Sequence, residues 1–146
     1  MTVLANTSAP QTSFRRMSSV LLVDRIEPCL DFWVDRLGFE VRVQVEGEDA
    51  LDFAILGRDD VEFSYRTRAS LDVDAPGTID DAPHNPWVVI YLEVDDLQSL
   101  LPRLEGVEVV VPVRETILGG QEMFIREPSG RMLGLTSRVG FDQERN

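Results

Sequence analysis

The chain holds one histidine, His84, and one cysteine, Cys29, so its means for acid-base, nucleophilic and metal chemistry are few. His84 sits between Pro83 and Pro86 in a stretch without periodicity. Sites that draw two histidines from one chain are therefore excluded, and so is a Ser-His-Asp arrangement anywhere else. Cys29 has only Arg25 as a basic neighbour to lower its pKa, and a catalytic thiol is not expected. Gly119-Gly120 leads into a strand-like run rather than a helix, so it reads as a bend and not as a phosphate loop.

What remains is binding chemistry. Glu62 alternates with Val61 and Phe63 and so points away from the apolar face of its strand, where a carboxylate would anchor a positively charged or hydrogen-bonding group. Tyr91 alternates in the same way with Ile90 and Leu92, and Trp87 opens that strand. Wide aromatic faces in a groove suit flat cationic or heteroaromatic ligands. Ser18, Val20, Leu22 and Val89 share this orientation and are expected to line the same cavity.

The elements that must position these residues repeat. A β-branched run from Ser19 to Val23 leads through Asp24 into Glu27–Leu37, then Gly38, then the alternating Phe39–Val45. About 70 residues later Val88–Val94 leads through Asp95-Asp96 into Leu97–Leu104, then Gly106, then Val107–Val113. Both read strand, helix, strand. Leu30, Trp33, Val34 and Leu37 form one apolar helical stripe, and Leu97, Leu100, Leu101 and Leu104 form the other. Pro102 shortens or kinks the second helix. Gly38 and Gly106 stand where a helix ends in a left-handed residue.

Each half then adds two strands joined by a turn. These are Ala50–Leu56 and Val61–Arg66 around Gly57–Asp60, then Gly120–Arg126 and Arg131–Thr136 around Glu127-Pro128-Ser129-Gly130. The expected fold is α+β, made of two β-α-β-β-β modules. Residues 16–138 form one domain, with module 1 at 16–66, a Pro-rich linker at 67–86 and module 2 at 87–138. Residues 1–15 and 139–146 read as tails.

At 146 residues with 43% hydrophobic content, the chain suits one domain with one core. The net charge of −12 disfavours nucleic acid and anionic membrane surfaces as partners. No apolar run approaches the roughly 18 residues of a membrane span. With a lone cysteine and no secretory pattern in the first fifteen residues, a cytoplasmic location is expected.

The segment from Val23 to Glu40, with Phe32-Trp33 followed by Leu37-Gly38-Phe39, resembles the first-helix signature of the vicinal oxygen chelate superfamily, also called the glyoxalase, bleomycin-resistance and extradiol dioxygenase family. Val94-Asp95-Asp96-Leu97 and Gly106-Val107 echo it, and Glu127-Pro128-Ser129-Gly130 resembles the family's Asp-Pro-x-Gly hairpin. The resemblance covers residues 16–138. It implies a curved mixed sheet whose concave side holds a ligand or, in enzymes, a divalent metal bound by His or Glu at four strand positions. Here those positions fall at Ser18, Glu62, Val89 and Gly134, which leaves a single carboxylate. The resemblance therefore implies a metal-independent and cofactor-free binding protein of the bleomycin-resistance-like branch that pairs as a homodimer to sequester a cationic or heteroaromatic small molecule. The ligand-binding residues expected are Glu62, Tyr91, Trp87, Ser18 and Val89. The alternatives are a glyoxalase-like lyase or a dioxygenase with a non-standard site, and a non-catalytic regulatory module.

Overall fold

A computed structural model describes residues 9–78, 88–117 and 119–138 of the protein. Trp87 and His84 lie outside the described residues. Module 1 runs β1 (Val20–Val23), α1 (Glu27–Leu30, continued as a π-helix over Asp31–Arg36), β2 (Glu40–Glu46), β3 (Leu51–Arg58) and β4 (Val61–Thr67). After a short helix, α2 (Arg68–Asp74), module 2 runs β5 (Val89–Glu93), a 3₁₀ helix (Gln98–Leu104), β6 (Val109–Glu115), β7 (Gln121–Arg126) and β8 (Met132–Ser137). The sheets have the orders β1-β4-β3-β2 and β5-β8-β7-β6, with the first pair in each parallel and the others antiparallel. The expected α+β architecture of two β-α-β-β-β modules is therefore the observed one.

The first helix is wound more loosely than its apolar spacing predicts. The Leu37 amide donates to the Phe32 carbonyl at 3.2 Å, five residues back. This wider turn lets two consecutive residues, Phe32 and Trp33, both face the core. The second helix is short and holds Pro102, as expected. Gly38 and Gly106 take φ of 75° and 81°, the left-handed region that ends a helix cheaply only without a Cβ.

The segment 67–86, read as a Pro-rich linker between the modules, begins with a helix, α2 at Arg68–Asp74. Its start is set by Thr67, whose Oγ1 accepts from the Ser70 amide at 3.2 Å. A seven-residue helix shows too little period for the sequence pattern to reveal it.

The helix-facing residues of both sheets merge into one core. Leu21, Val23, Ala54, Leu56, Phe63 and Tyr65 come from module 1, and Met123, Ile125, Leu133 and Leu135 from module 2. Polar contacts also join the modules. Arg36 donates to the Arg103 and Glu105 carbonyls at 3.0 and 2.6 Å, closing the end of the 3₁₀ helix. Behind β4, Trp33 Nε1 donates to Tyr65 Oη at 2.8 Å, and the Tyr65 hydroxyl donates to Glu127 of the β7–β8 hairpin. Glu127 also accepts from the Ser129 hydroxyl and from the Arg131 amide at 3.1 Å, while Arg131 Nη2 reaches the Leu22 carbonyl at 2.9 Å. The hairpin glutamate thus fastens module 2 to module 1.

Candidate functional site

With one face of each sheet buried, the opposite faces are left to do chemistry. Strand pairing fixes what stands there. Gly57 lies opposite Glu62, Ile55 opposite Ser64 and Phe53 opposite Arg66, all on the face turned from the helix. A β-bulge between Val41 and Val43 shifts the register of β2. Val43 and Val45 then align with Ile55 and Phe53 and stand about half exposed on the open face, although plain alternation in the sequence sends them to the core.

Glu62 lies where alternation placed it, on the open face, but its carboxylate is engaged. Arg42 Nη1 donates to Glu62 Oε2 at 3.0 Å, and Arg16 Nη1 stands 3.9 Å from Oε1. Arg42 Nη2 also donates to the Asp59 carbonyl at 3.0 Å. The guanidinium lies flat over Gly57, where an added Cβ would come within 2.3 Å of Arg42 Cζ. Both arginines escape a sequence reading, because the bulge that turns Arg42 onto this face is set by register with β3 and leaves no local mark.

In module 2 the open face is aromatic. Tyr91 is 56% exposed. Its ring rests over Gly134, where a Cβ would sit 2.7 Å from Cε1, and meets Phe124 edge-on at 5.8 Å between centroids. Arg114 lies over the Phe124 ring at 5.7 Å and pairs with Glu122 at 3.2 Å. Phe124 and its arginine were not foreseen, although Phe124 alternates with Met123 and Ile125 and parity alone would have found it. Val89 begins β5 half exposed on this face, and Ser18 lies exposed just ahead of β1.

These residues do not fit a divalent metal. Pairing places Met132, not Gly134, opposite Val89, whereas Gly134 lies opposite Tyr91. A serine hydroxyl, a valine, and either a thioether or nothing make no donor set for a hard cation, and Glu62 is already salt-bridged. Among the described residues no three His, Cys, Asp or Glu side chains converge to hold a metal ion.

Grooves adjoin the sheets among the described residues. One, of about 570 Å³, lies between the open face of module 1 and α2, with Val45 and Phe53 on one side and Ser70 and Val73 on the other. Arg66 crosses it to Asp74 at 3.1 Å. The second, of about 480 Å³, lies between the modules, where Leu37, Phe39 and Val61 face Leu92, Val94 and Leu135. Cys29 reaches neither. It is buried, and that burial, reinforced by the Glu127 charge, pushes its thiol up to about 11. A nucleophilic thiolate is absent at neutral pH. Burial and the same carboxylate also push the Tyr65 phenol up.

Two sheets of order 1-4-3-2, each with a helix behind and an open face in front, define the class of paired β-α-β-β-β modules. The chain belongs to the glyoxalase/bleomycin resistance protein/dioxygenase superfamily, which it matches over residues 16–135. Solved structures agree in fold. TioX from Micromonospora sp. ML1 superposes with a TM-score of 0.65 at 17% identity, covering 86% of this chain and 97% of that one. A glyoxalase/bleomycin resistance protein/dioxygenase from Nocardioides gives 0.64 at 15% identity, covering 90% and 89%. The bleomycin resistance determinant encoded on transposon Tn5 gives 0.60 at 19% identity, covering 86% and 99%. None of the curated proteins matches this chain. Among the described residues no helix is long and apolar enough to cross a membrane.

Proposed function

We propose that this chain is a metal-independent binding protein that holds a planar heteroaromatic or cationic small molecule against the open faces of its sheets. The observation that carries this reading is the Tyr91 ring, held out over Gly134 and braced by Phe124. An exposed aromatic with its own edge-to-face support offers a rigid stacking surface, and its ordering cost is already met in the free protein. Glu122 and Glu93 flank the ring on the same face, Glu122 paired with Arg114 and Glu93 standing 3.9 Å from Arg138 Nε, so charges of both signs border the stacking surface. Val89 and Ser18 extend the contact surface, and Glu62 organises its arginines.

Two chains pair over these faces in this reading. Val20, Val43, Val45 and Val89 are each about half exposed there, and a second copy would cover them. Sedimentation analysis tests the pairing, with a dimer expected and a strict monomer against it.

A thermal-shift series with divalent metals, planar heteroaromatics and bleomycin-like cationic drugs tests the binding. Aromatic or cationic compounds are expected to raise Tm, and Tyr91→Ala is expected to abolish the rise. A rise produced by metals alone would overturn the proposal.

A further inference from the structure

We infer that Arg42, with Arg16 beside it, receives an oxyanion group of the ligand, a carboxylate or a phosphate, on the open face of module 1 next to Glu62. The inference rests on the reading that the open faces bind the ligand, and it adds a chemical class to it.

The geometry is that of a prepared receptor. The Arg42 guanidinium is fixed at three points: Glu62 Oε2 at 3.0 Å, the Asp59 carbonyl at 3.0 Å, and the bare backbone of Gly57 beneath its plane. Glu62 and Asp59 use two of the five donors that a guanidinium carries, and the other three lie in its plane, along the surface of the sheet. The Arg42 side chain is still 35% exposed. Arg16 approaches the other carboxylate oxygen at 3.9 Å, too far for a hydrogen bond, with its side chain 76% exposed. It can turn to a ligand without breaking a hydrogen bond to Glu62.

Charge decides which ligand group fits. Two guanidiniums stand within ion-pair range of the Glu62 carboxylate in a chain whose total charge is −12, while Glu40 faces Gly57 from β2 on the same side with neither arginine in contact. A ligand cation would have to displace Arg42 to reach the Glu62 carboxylate, whereas an oxyanion meets two guanidiniums already turned to the open face. Arg66, the next arginine along this face, is tied to α2 instead, through Asp74 at 3.1 Å and the Ser70 hydroxyl and carbonyl at 3.3 and 3.5 Å.

The test uses the full chain, two isosteric probes (1-naphthoate and 1-naphthamide), and inorganic phosphate, with arginine Nε–H resonances and titration as readouts. The naphthoate is expected to bind about tenfold more tightly than the amide, as one charge-assisted hydrogen bond implies. Arg42→Met is expected to erase that preference. Glu62→Gln is expected to raise naphthoate affinity several-fold by removing the competing carboxylate. Phosphate is expected to move the Arg42 resonance saturably. A saturable response to phosphate but no preference for naphthoate assigns the receptor to phosphorylated ligands, and the reverse assigns it to carboxylates. Loss of naphthoate binding in Glu62→Gln overturns the inference, because it makes Glu62 the anchor. So does an unchanged preference in Arg42→Met accompanied by a still Arg42 resonance in phosphate. Equal binding of both naphthyl probes together with an Arg42 resonance that phosphate leaves still would remove the oxyanion receptor and leave the aromatic binding face standing. The phosphate titration needs no aromatic surface, so it decides the receptor even where Tyr91 proves idle.

Discussion

The two modules repeat one strand order and fill it differently. Behind the sheet of module 1 stands an aromatic cluster: Trp33 meets Phe32, Phe39 and Phe63 at 5.2, 4.9 and 4.5 Å between ring centroids, and Phe63 meets Tyr65 at 5.3 Å. The corresponding space in module 2 holds Leu97, Leu104, Met123, Ile125, Leu133 and Leu135. The open faces invert this. Module 1 offers guanidiniums around a carboxylate, and module 2 an aromatic pair. The β-α-β-β-β backbone thus demands apolar volume behind and tolerates either chemistry in front, so function is to be sought in the face that folding leaves unconstrained.

The largest expected effect tests whether the aromatic half is the keystone. Trp33 is 1% exposed and touches three other rings. Trp33→Ala is expected to cost about 3–5 kcal/mol through the cavity it leaves. Leu133→Ala, in the aliphatic half, should sit toward the lower part of a range of about 2–5 kcal/mol. Urea denaturation measures both, and a larger loss at Leu133 would break the comparison.

Next in size is the joint between the halves. Tyr65→Phe keeps the ring but removes the hydroxyl that accepts from Trp33 and donates to Glu127, which is itself 2% exposed. Leaving a buried indole N–H and one lobe of a buried carboxylate without partners should cost about 1–3 kcal/mol. A neutral result would mean that the two cores cohere by apolar contact alone.

Much of this was legible in the sequence. The repeat, the two glycine stops and the buried position of Trp33 all follow from local spacing. Parity likewise set Glu62 and Tyr91 on the open face. The rest depends on contacts between distant segments. Arg42 meets Glu62 twenty residues away, and the β2 bulge that brings it there is a property of the pairing with β3. The π-helical turn is hidden because a spacing of i, i+3, i+4 and i+7 suits a regular α-helix equally well. Helix α2 is hidden by its shortness.

A smaller effect, in the alkaline range, centres on module 1, with a contribution from the Glu127 carboxylate of module 2. Burial raises the Cys29 thiol from its ordinary 9.0 to about 11. Above pH 9 the unfolded chain loses this proton while the folded chain keeps it, so the stability contribution is whole below pH 9 and is lost as pH rises toward 11. The cost at the upper end is of order 1–3 kcal/mol. Cys29→Ala should flatten this slope in urea titrations between pH 8 and 11. A slope unchanged by that substitution would assign the alkaline loss to Tyr65, whose phenol is raised in the same way.

The smallest effect on stability is the sharpest test of the open faces. Gly57 and Gly134 play one part in the two modules, each leaving bare backbone under a side chain that lies across the sheet. A Cβ at Gly57 would fall 2.3 Å from Arg42 Cζ, and one at Gly134 2.7 Å from Tyr91 Cε1. Both clashes meet side chains on an open face, which can swing aside, so Gly57→Ala and Gly134→Ala should each cost under about 1 kcal/mol. Gly120 is the contrast, because a Cβ there would meet the Ser137 carbonyl at 2.2 Å, and a backbone pinned in β8 cannot yield so cheaply. Gly120→Ala should therefore cost about 1–3 kcal/mol, as overpacking does. If the open-face glycines exist to seat a ligand-binding side chain, Gly134→Ala should weaken stacking ligands and Gly57→Ala oxyanions, each without touching the other. Two variants that bind as the parent does would show that these glycines serve strand packing only.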